Sequence, residues 1–252
     1  MYVVGYPKSG NTWLCYLLAY CLNSKYDDMD DPGTHPRNEY QRKHVKGGLK
    51  HVSYESELGP VLKTHRLRIA NQDDSPVIYL VRDGRDVMVS YFFYINAFTK
   101  KKRLALKKHF WEVASHKFGV SKIETSLKRS GFHRFLRQHA SEWANHVNTW
   151  IARNPTAVVR YEDLHTVPKE TLDSLMMRLN AQVLSDIILK AVEMFNFQRL
   201  TGRQSGEEDR KSFFRKGIVG DWKNHFSKRD LDCFQHEAGD TLEMLGYQIQ
   251  RK

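Results

Sequence analysis

Cysteine is scarce in this sequence: Cys15, Cys21 and Cys233 are the whole complement of 252 residues. So small and odd a number excludes a disulfide framework in a chain of this size. Cys15 and Cys21 fall on one predicted helix, turned to different faces, and read as core packing. Long apolar runs are missing too. The longest, Thr12-Trp-Leu-Cys-Tyr-Leu-Leu-Ala-Tyr-Cys-Leu22, is about half of what a membrane-crossing helix requires. Pro7, Lys8 and Gly10 break up the N-terminal stretch, so it does not read as a secretory leader. A reduced cytoplasm is the expected compartment, with no membrane partner. Zinc-ligand spacings, an RNA-recognition signature, internal repeats and low-complexity segments are absent, so neither a metal nor nucleic acid is expected as a partner. Acidic charge is in deficit, with 29 Asp and Glu against 40 Lys and Arg. The resulting net charge of +11 favours anionic ligands.

What is present suits one large α/β domain over residues 1–252, with 40% hydrophobic and 27% charged residues. Strands are expected at Tyr2–Tyr6, Pro60–Lys63, Val77–Val81 and Ala157–Arg160. All four are short, continuous and apolar, as in a parallel sheet covered on both faces. Helices are expected at Thr12–Leu22, Arg85–Phe98 and Lys169–Leu179. This alternation implies right-handed βαβ units and a three-layer, doubly wound parallel sheet with helices on both faces. The polar stretch 23–59 reads as a flap, and its Asp27-Asp28-Met29-Asp30-Asp31 run as solvated surface; about 95–130 reads as a second covering segment. Trp111, Phe118, Phe132, Phe135, Trp143 and Trp150 read mainly as core, and Lys228–Tyr247 as one or two amphipathic helices.

Three stretches carry chemistry. Tyr6-Pro-Lys-Ser-Gly-Asn-Thr-Trp13 lies between a predicted strand and a predicted helix. There the backbone N–H groups and the helix dipole converge on an anion. The Gly-Lys-Ser/Thr of a nucleotide-binding P-loop is missing, because Asn11 and Thr12 follow Gly10 and the lysine, Lys8, sits inside the loop. That disfavours a P-loop kinase. Arg82-Asp-Gly-Arg-Asp-Val-Met-Val-Ser90 and Arg215-Lys-Gly-Ile-Val-Gly-Asp-Trp222 are the other two. In doubly wound sheets, ligands bind beyond the carboxyl ends of the strands, where these motifs stand. A non-enzymatic module that binds polyanions is the alternative for a basic chain.

In order and separation, these motifs resemble those of the cytosolic-type sulfotransferases, over nearly the whole chain. The resemblance implies a P-loop-like phosphosulfate loop and transfer of a sulfuryl group from 3′-phosphoadenosine 5′-phosphosulfate (PAPS), leaving the product PAP, without a metal. It implies that Lys8, Ser9, Gly10, Asn11 and Thr12 hold the 5′-phosphosulfate and that Trp13 stacks on adenine. Arg82 and Ser90 would bind the 3′-phosphate, and Arg215, Lys216 and Gly217 would close over it. Tyr161, in Tyr161-Glu-Asp-Leu164 after what is read as a central strand, and Phe197 would contribute on the adenine side. His65, in Leu62-Lys-Thr-His65, takes the place of the family's base, and an imidazole with a pKa near about 6.5 suits that role. Lys8 would stabilise the leaving phosphate and Lys63 would help neutralise the transferring group.

The departures from the family pattern bear on function. Asn11 replaces a common threonine, and its amide can still donate to phosphate. Gly84 stands where Pro or Ala is frequent, which predicts a looser start to the following helix. Arg85 and Asp86 could cap or pair at that start. Lys223-Asn-His-Phe-Ser-Lys-Arg-Asp230 lacks the Thr-Val pair of the animal dimer element, so that dimer is not expected. The sequence begins almost at its first strand, so part of the acceptor lid is expected to differ. The acceptor is expected to be a small molecule carrying a hydroxyl or amine. Asp27, Asp28, Asp30, Asp31, Glu39, Glu55 and Glu57 would suit a cationic natural product such as a guanidinium alkaloid, with phenols or other small alcohols as the alternative.

Overall fold

The computed structural model describes residues 1–30, 58–69, 74–97 and 129–249. The flap segment is therefore seen only at its two ends, and Asp31, Glu39, Glu55, Glu57, Trp111 and Phe118 lie outside the described residues. Contacts divide the chain into two compact units, Met1–Arg82 with Asn145–Ser205 and Asp83–Ala144 with Gly206–Lys252.

The first unit carries a five-stranded sheet in the order β2-β3-β1-β4-β5, with every pairing parallel. The strands are β1 (Tyr2–Val4), β2 (Tyr26–Asp28), β3 (Val61–Thr64), β4 (Val77–Val81) and β5 (Ala157–Arg160). The four expected strands are present, β1 ending two residues early and β3 running one residue later. Two expectations are corrected. Residues 26–28 pair with β3 as a fifth strand where solvated surface was read, and β5 is at the edge of the described sheet rather than central. Val158 is 45% exposed, as an edge position allows, so β5 is not covered on both faces.

Helix α1 (Asn11–Cys21) follows β1 and packs on β1 and β3. Its Leu14, Leu17 and Leu18 are fully buried, each worth about 1.5–3 kcal/mol in removed apolar surface. Cys15 and Cys21 are buried there as free thiols. Burial raises both, Cys21 to about 12, which leaves them inert packing groups. Tyr79 stacks at 5.8 Å on His146 and 6.4 Å on Trp150, both from the long helix α3 (Arg129–Ile151). Leu80 points the other way, toward the N-cap of α1. Successive strand residues face opposite sides, so α1 and the end of α3 cover the two faces of the sheet. Beyond β5 come α4 (Tyr161–Thr166), α5 (Pro168–Arg178, with Pro168 in its first turn), α6 (Ser185–Met194), which packs on α1, and α7 (Phe197–Thr201).

The second unit contains α2 (84–97), the first part of α3, a 3-10 turn at Asp221–Asn224 and a single closing helix α8 (Lys228–Met244). Ser227 and Asp230 form a reciprocal capping box at the start of α8. The segment that departs from the animal dimer element thus supplies the 3-10 turn and this cap. Gly84 opens α2 against rings: a Cβ there would come 2.7 Å from Phe234 and 2.8 Å from Trp143. The missing Cβ of the glycine is what lets those two aromatics approach.

Candidate active site

The parallel sheet puts the carboxyl ends of β1, β3 and β4 along one edge, and the chain leaves each of them into residues singled out in the sequence. After β1, Ser9 N–H donates to the Tyr6 carbonyl at 3.2 Å, closing a tight loop. Lys8 in that loop has φ 72° and Gly10 φ 105°, both left-handed. A side chain on Gly10 would also meet the Tyr161 ring at 2.6 Å, so this position demands glycine twice over. Gly10 is the N-cap of α1; it offers no side-chain cap, and the first turn holds no acidic residue. The first N–H groups of a helix lack partners within it and draw anions. Left-handed residues beside right-handed ones also make concave nests of N–H groups.

The Asn11 side chain bonds inside the protein. It is buried, and its Nδ2 donates to the Gly5 carbonyl at 2.9 Å. As the first residue of α1 it directs its amide back toward the end of β1. The same carbonyl takes His65 Nδ1 at 2.6 Å. A carbonyl can only accept, so Nδ1 carries the hydrogen and Nε2 keeps the lone pair. The 3.1 Å approach of Asn11 Nδ2 to His65 Nδ1 is therefore two donors sharing one acceptor.

His65 follows β3 and is half-buried. Its pKa falls to about 4, first through burial and then through the positive charge of Lys63, against the raising influence of the Gly5 carbonyl, Asp30 and Asp28. The imidazole is therefore neutral at physiological pH. Lys63 is buried, and its Nζ bonds Asp28 Oδ2 at 2.6 Å. Asp30 accepts from the His65 backbone N–H at 2.6 Å and from Arg66 Nε at 3.0 Å. Asp30 is exposed, as read from the sequence, whereas Asp28 is buried against Lys63, in a strand whose two aspartates hide it from a search for apolar runs.

After β4, the buried Arg82 donates to the Lys8 carbonyl at 3.4 Å and lies 4.2 Å over the Tyr161 ring. Trp13 packs edge-on to Tyr161 at 5.8 Å, and its Nε1 donates to the Phe195 carbonyl at 2.8 Å. The structure thus gathers Lys8, Ser9, Gly10, Asn11, Thr12, Trp13, Lys63, His65, Arg82 and Tyr161 around one edge of the sheet. Phe197 heads α7, with the guanidinium of Arg203 5.3 Å over its ring.

In the second unit, Ser90 is half-buried on α2 and Gly217 takes a left-handed φ of 64°. Arg215 bonds Glu208 and Asp221, and Lys216 Nζ bonds Asp221 Oδ1 at 2.7 Å. Burial works to raise the Asp221 carboxyl, but hydrogen bonds from Lys216, Arg215 and Asn224 outweigh it and hold the group well below the usual carboxylate range. Asp86, expected only at its helix start, accepts instead from the backbone N–H groups of Gly220 at 2.7 Å and Trp222 at 2.8 Å. Arg85 bonds Asp83 and lies 4.0 Å over the Trp222 ring.

A parallel sheet whose first strand feeds a glycine-containing loop and a helix N-terminus is an α/β arrangement suited to anions, and its lysine stands earlier in the loop than that of the nucleotide-binding P-loop. The sulfotransferase domain family matches residues 1–245, and the chain belongs to that family. It is an enzyme of the sulfotransferase class. Among curated relatives, it is 26% identical to sulfotransferase 1E1 of Bos taurus, over 96% of this chain and 84% of that one. It is 27% identical to sulfotransferase 2A6 of Mus musculus, over 97% and 84%. In fold it is similar to mouse sulfotransferase SULT7A1 complexed with PAP, with a TM-score of 0.58 at 18% identity over 98% of this chain and 87% of that one. It is likewise similar to retinol dehydratase in complex with androsterone and PAP, with a TM-score of 0.60 at 19% identity over 96% and 80%. Among the described residues no helix is long and apolar enough to cross a membrane.

Proposed function

We propose that this sulfotransferase moves a sulfuryl group from PAPS to the hydroxyl of a neutral small molecule, with His65 as the base. The observation that carries the reading is the bond of His65 Nδ1–H to the Gly5 carbonyl, 2.6 Å long, beside the loop of Lys8. It leaves the Nε2 lone pair as the basic site of a neutral ring, next to a loop built for an anion. PAP in the solved structures of similar fold and the nest around Lys8 support PAPS as the donor here.

Bound donor supplies a sulfuryl group carried on a phosphate that can leave. His65 Nε2 accepts the hydroxyl proton while the acceptor oxygen forms its bond to sulfur, and the bond from sulfur to the 5′-phosphate oxygen breaks. Lys8 and the backbone N–H groups of Ser9, Gly10, Asn11 and Thr12 take up the charge that develops on that oxygen. Trp13, Tyr161 and Phe197 offer faces for adenine. Arg82 and Ser90, with Arg215, Lys216 and Gly217, are the groups for the 3′-phosphate. Lys63 acts through its charge on His65 while it remains bonded to Asp28.

For the acceptor, Asp28 and Asp30 are already engaged with Lys63, the His65 backbone and Arg66, so two of the carboxylates that would attract a guanidinium are spent. Androsterone and retinol, each bound in a structure of retinol dehydratase, are neutral alcohols and support the same class. The test is transfer from radiolabelled PAPS to a panel of neutral alcohols, phenols and guanidinium compounds. Product on the neutral members, lost in His65→Ala and Lys8→Ala while His65→Ala still binds PAP, is expected. Wild-type turnover by His65→Ala removes the base, and preference for guanidinium compounds removes the neutral acceptor.

A further inference from the structure

The loop that carries His65 is held from behind by one helix. His146 Nε2 lies 3.0 Å from the His65 carbonyl, Trp150 Nε1 donates to the Arg66 carbonyl at 3.1 Å, and Arg153 Nη1 donates to the Leu67 carbonyl. Three successive carbonyls therefore meet three donors spaced four and then three residues apart on α3 and the turn after it, which is the spacing of one helix face. The partners of these donors fix their chemistry. The His65 carbonyl can only accept, so His146 carries its hydrogen on Nε2, and its Nδ1 takes the Tyr79 hydroxyl at 2.9 Å. His146 and Trp150 are buried and stack on Tyr79 of β4, while Arg153 lies 4.7 Å over the Trp150 ring. From the opposite side, Asp30 takes the His65 backbone N–H.

We propose that His146, Trp150 and Arg153 are positioning residues that clamp the backbone of residues 65–67 and so hold the His65 ring against the Gly5 carbonyl, in the tautomer and place that proton transfer needs. None of the three touches the reacting atoms. A loop of this kind, left to itself, samples many backbone states, and a displacement of about 1 Å at a reacting group costs on the order of 100-fold in rate. This inference rests on the reading of His65 as the base.

The test uses the full chain and the best neutral acceptor of the panel. Trp150→Phe deletes one donor and keeps the ring that stacks on Tyr79; it is expected to lower kcat about tenfold, with PAP affinity unchanged within about twofold. His146→Leu is expected to do the same, and His146→Gln, whose amide N–H can reach the place of Nε2–H, to recover most of the rate. In the His65→Ala background, Trp150→Phe should cause no further loss. Nitrogen NMR of the His65 ring supplies a readout independent of turnover, and Trp150→Phe is expected to shift or broaden those signals. Wild-type kcat and unchanged ring signals in Trp150→Phe overturn the clamp while leaving the base intact, provided His65→Ala is inactive. A further rate loss from Trp150→Phe on top of His65→Ala also overturns it. Wild-type turnover by His65→Ala removes the base and the clamp together.

Discussion

Lys63 Nζ lies 2.6 Å from Asp28 Oδ2, on adjacent parallel strands whose register sets Asp28 directly beside Lys63. Both side chains are almost fully buried, so each charge exists there only because of the other. Removing one partner leaves the other desolvated, at a cost of about 3–5 kcal/mol, whereas an apolar pair of similar volume can be nearly neutral. Asp28→Asn is expected to lower the urea midpoint strongly, and Asp28→Leu with Lys63→Met to recover much of it. A loss in the double variant equal to the sum of the losses in its two single variants would show that the two charges do not depend on one another.

The same lysine bears on the pH dependence of transfer. With the His65 pKa at about 4, the base is ready well below the point where an ordinary histidine, near about 6.5, would protonate. The acid limb of kcat/KM is therefore expected to fall near pH 4 rather than 6.5. Lys63→Met removes a positive charge that lowers the ring's pKa, and the limb should move to higher pH. A limb near 6.5 in the unaltered protein would contradict the burial of the ring.

Stability should follow the two depressed histidines together. His146 is also lowered to about 4, first by burial and with a further contribution from Arg153, against the raising influence of the His65 carbonyl. Between about 6.5 and 4 the unfolded chain takes up protons at both sites and the folded one does not. The folded state is thus at full strength above about 6.5 and weakens as pH falls toward 4. Thermal melts across that range check the sign, and His146→Gln should flatten part of the slope. A melting temperature that rises on acidification would contradict both shifts.

The sequence disclosed β1, β3, β4, β5 and the helices that follow three of them because each is an apolar run bounded by loop chemistry. It hid β2, because Tyr26-Asp27-Asp28 is polar and its burial depends on Lys63 across the register, a partner far along the chain. The loop of Lys8 was legible from local spacing, and His65 after β3 from the family resemblance. The turning of Asn11 toward the Gly5 carbonyl was not. Trp150 was legible only as a core aromatic, and His146 was not singled out; their bonds to residues 65 and 66 are set by how that helix lies on β4. Local chemistry is written locally, and the groups that aim it are set by pairing at long range.

Asp221 receives Lys216 and Arg215 as a phosphate would, and its buried carboxylate is the internal counter-charge to both. Asp221→Asn removes that charge while keeping the shape. Without ligand the variant is expected to melt at a lower temperature, because two part-buried cations lose their partner. If the two cations serve the 3′-phosphate, added PAP should then stabilise the variant by more than it stabilises the unaltered protein. A smaller PAP-induced shift in the variant would argue that Asp221 organises the binding groups rather than standing in for the ligand.

Gly84→Ala sets helix propensity against packing. In a helix, alanine is favoured over glycine by up to about 1 kcal/mol, so from the sequence alone the change looks stabilising. The added Cβ would sit 2.7 Å from the Phe234 ring and 2.8 Å from the Trp143 ring, in a core where both rings are fully buried. Rigid rings in such a place can move only by displacing their neighbours, at about 1–3 kcal/mol for overpacking of this kind. Packing outweighs propensity, so Gly84→Ala should lower the melting temperature. Phe234→Leu should also destabilise by itself, through the space it leaves. Together the two should cost less than the sum of their separate effects, because leucine vacates the position that the new methyl needs. Strict additivity in that double-mutant cycle, or a Gly84→Ala variant as stable as the original, would show that the aromatic pair does not dictate the glycine.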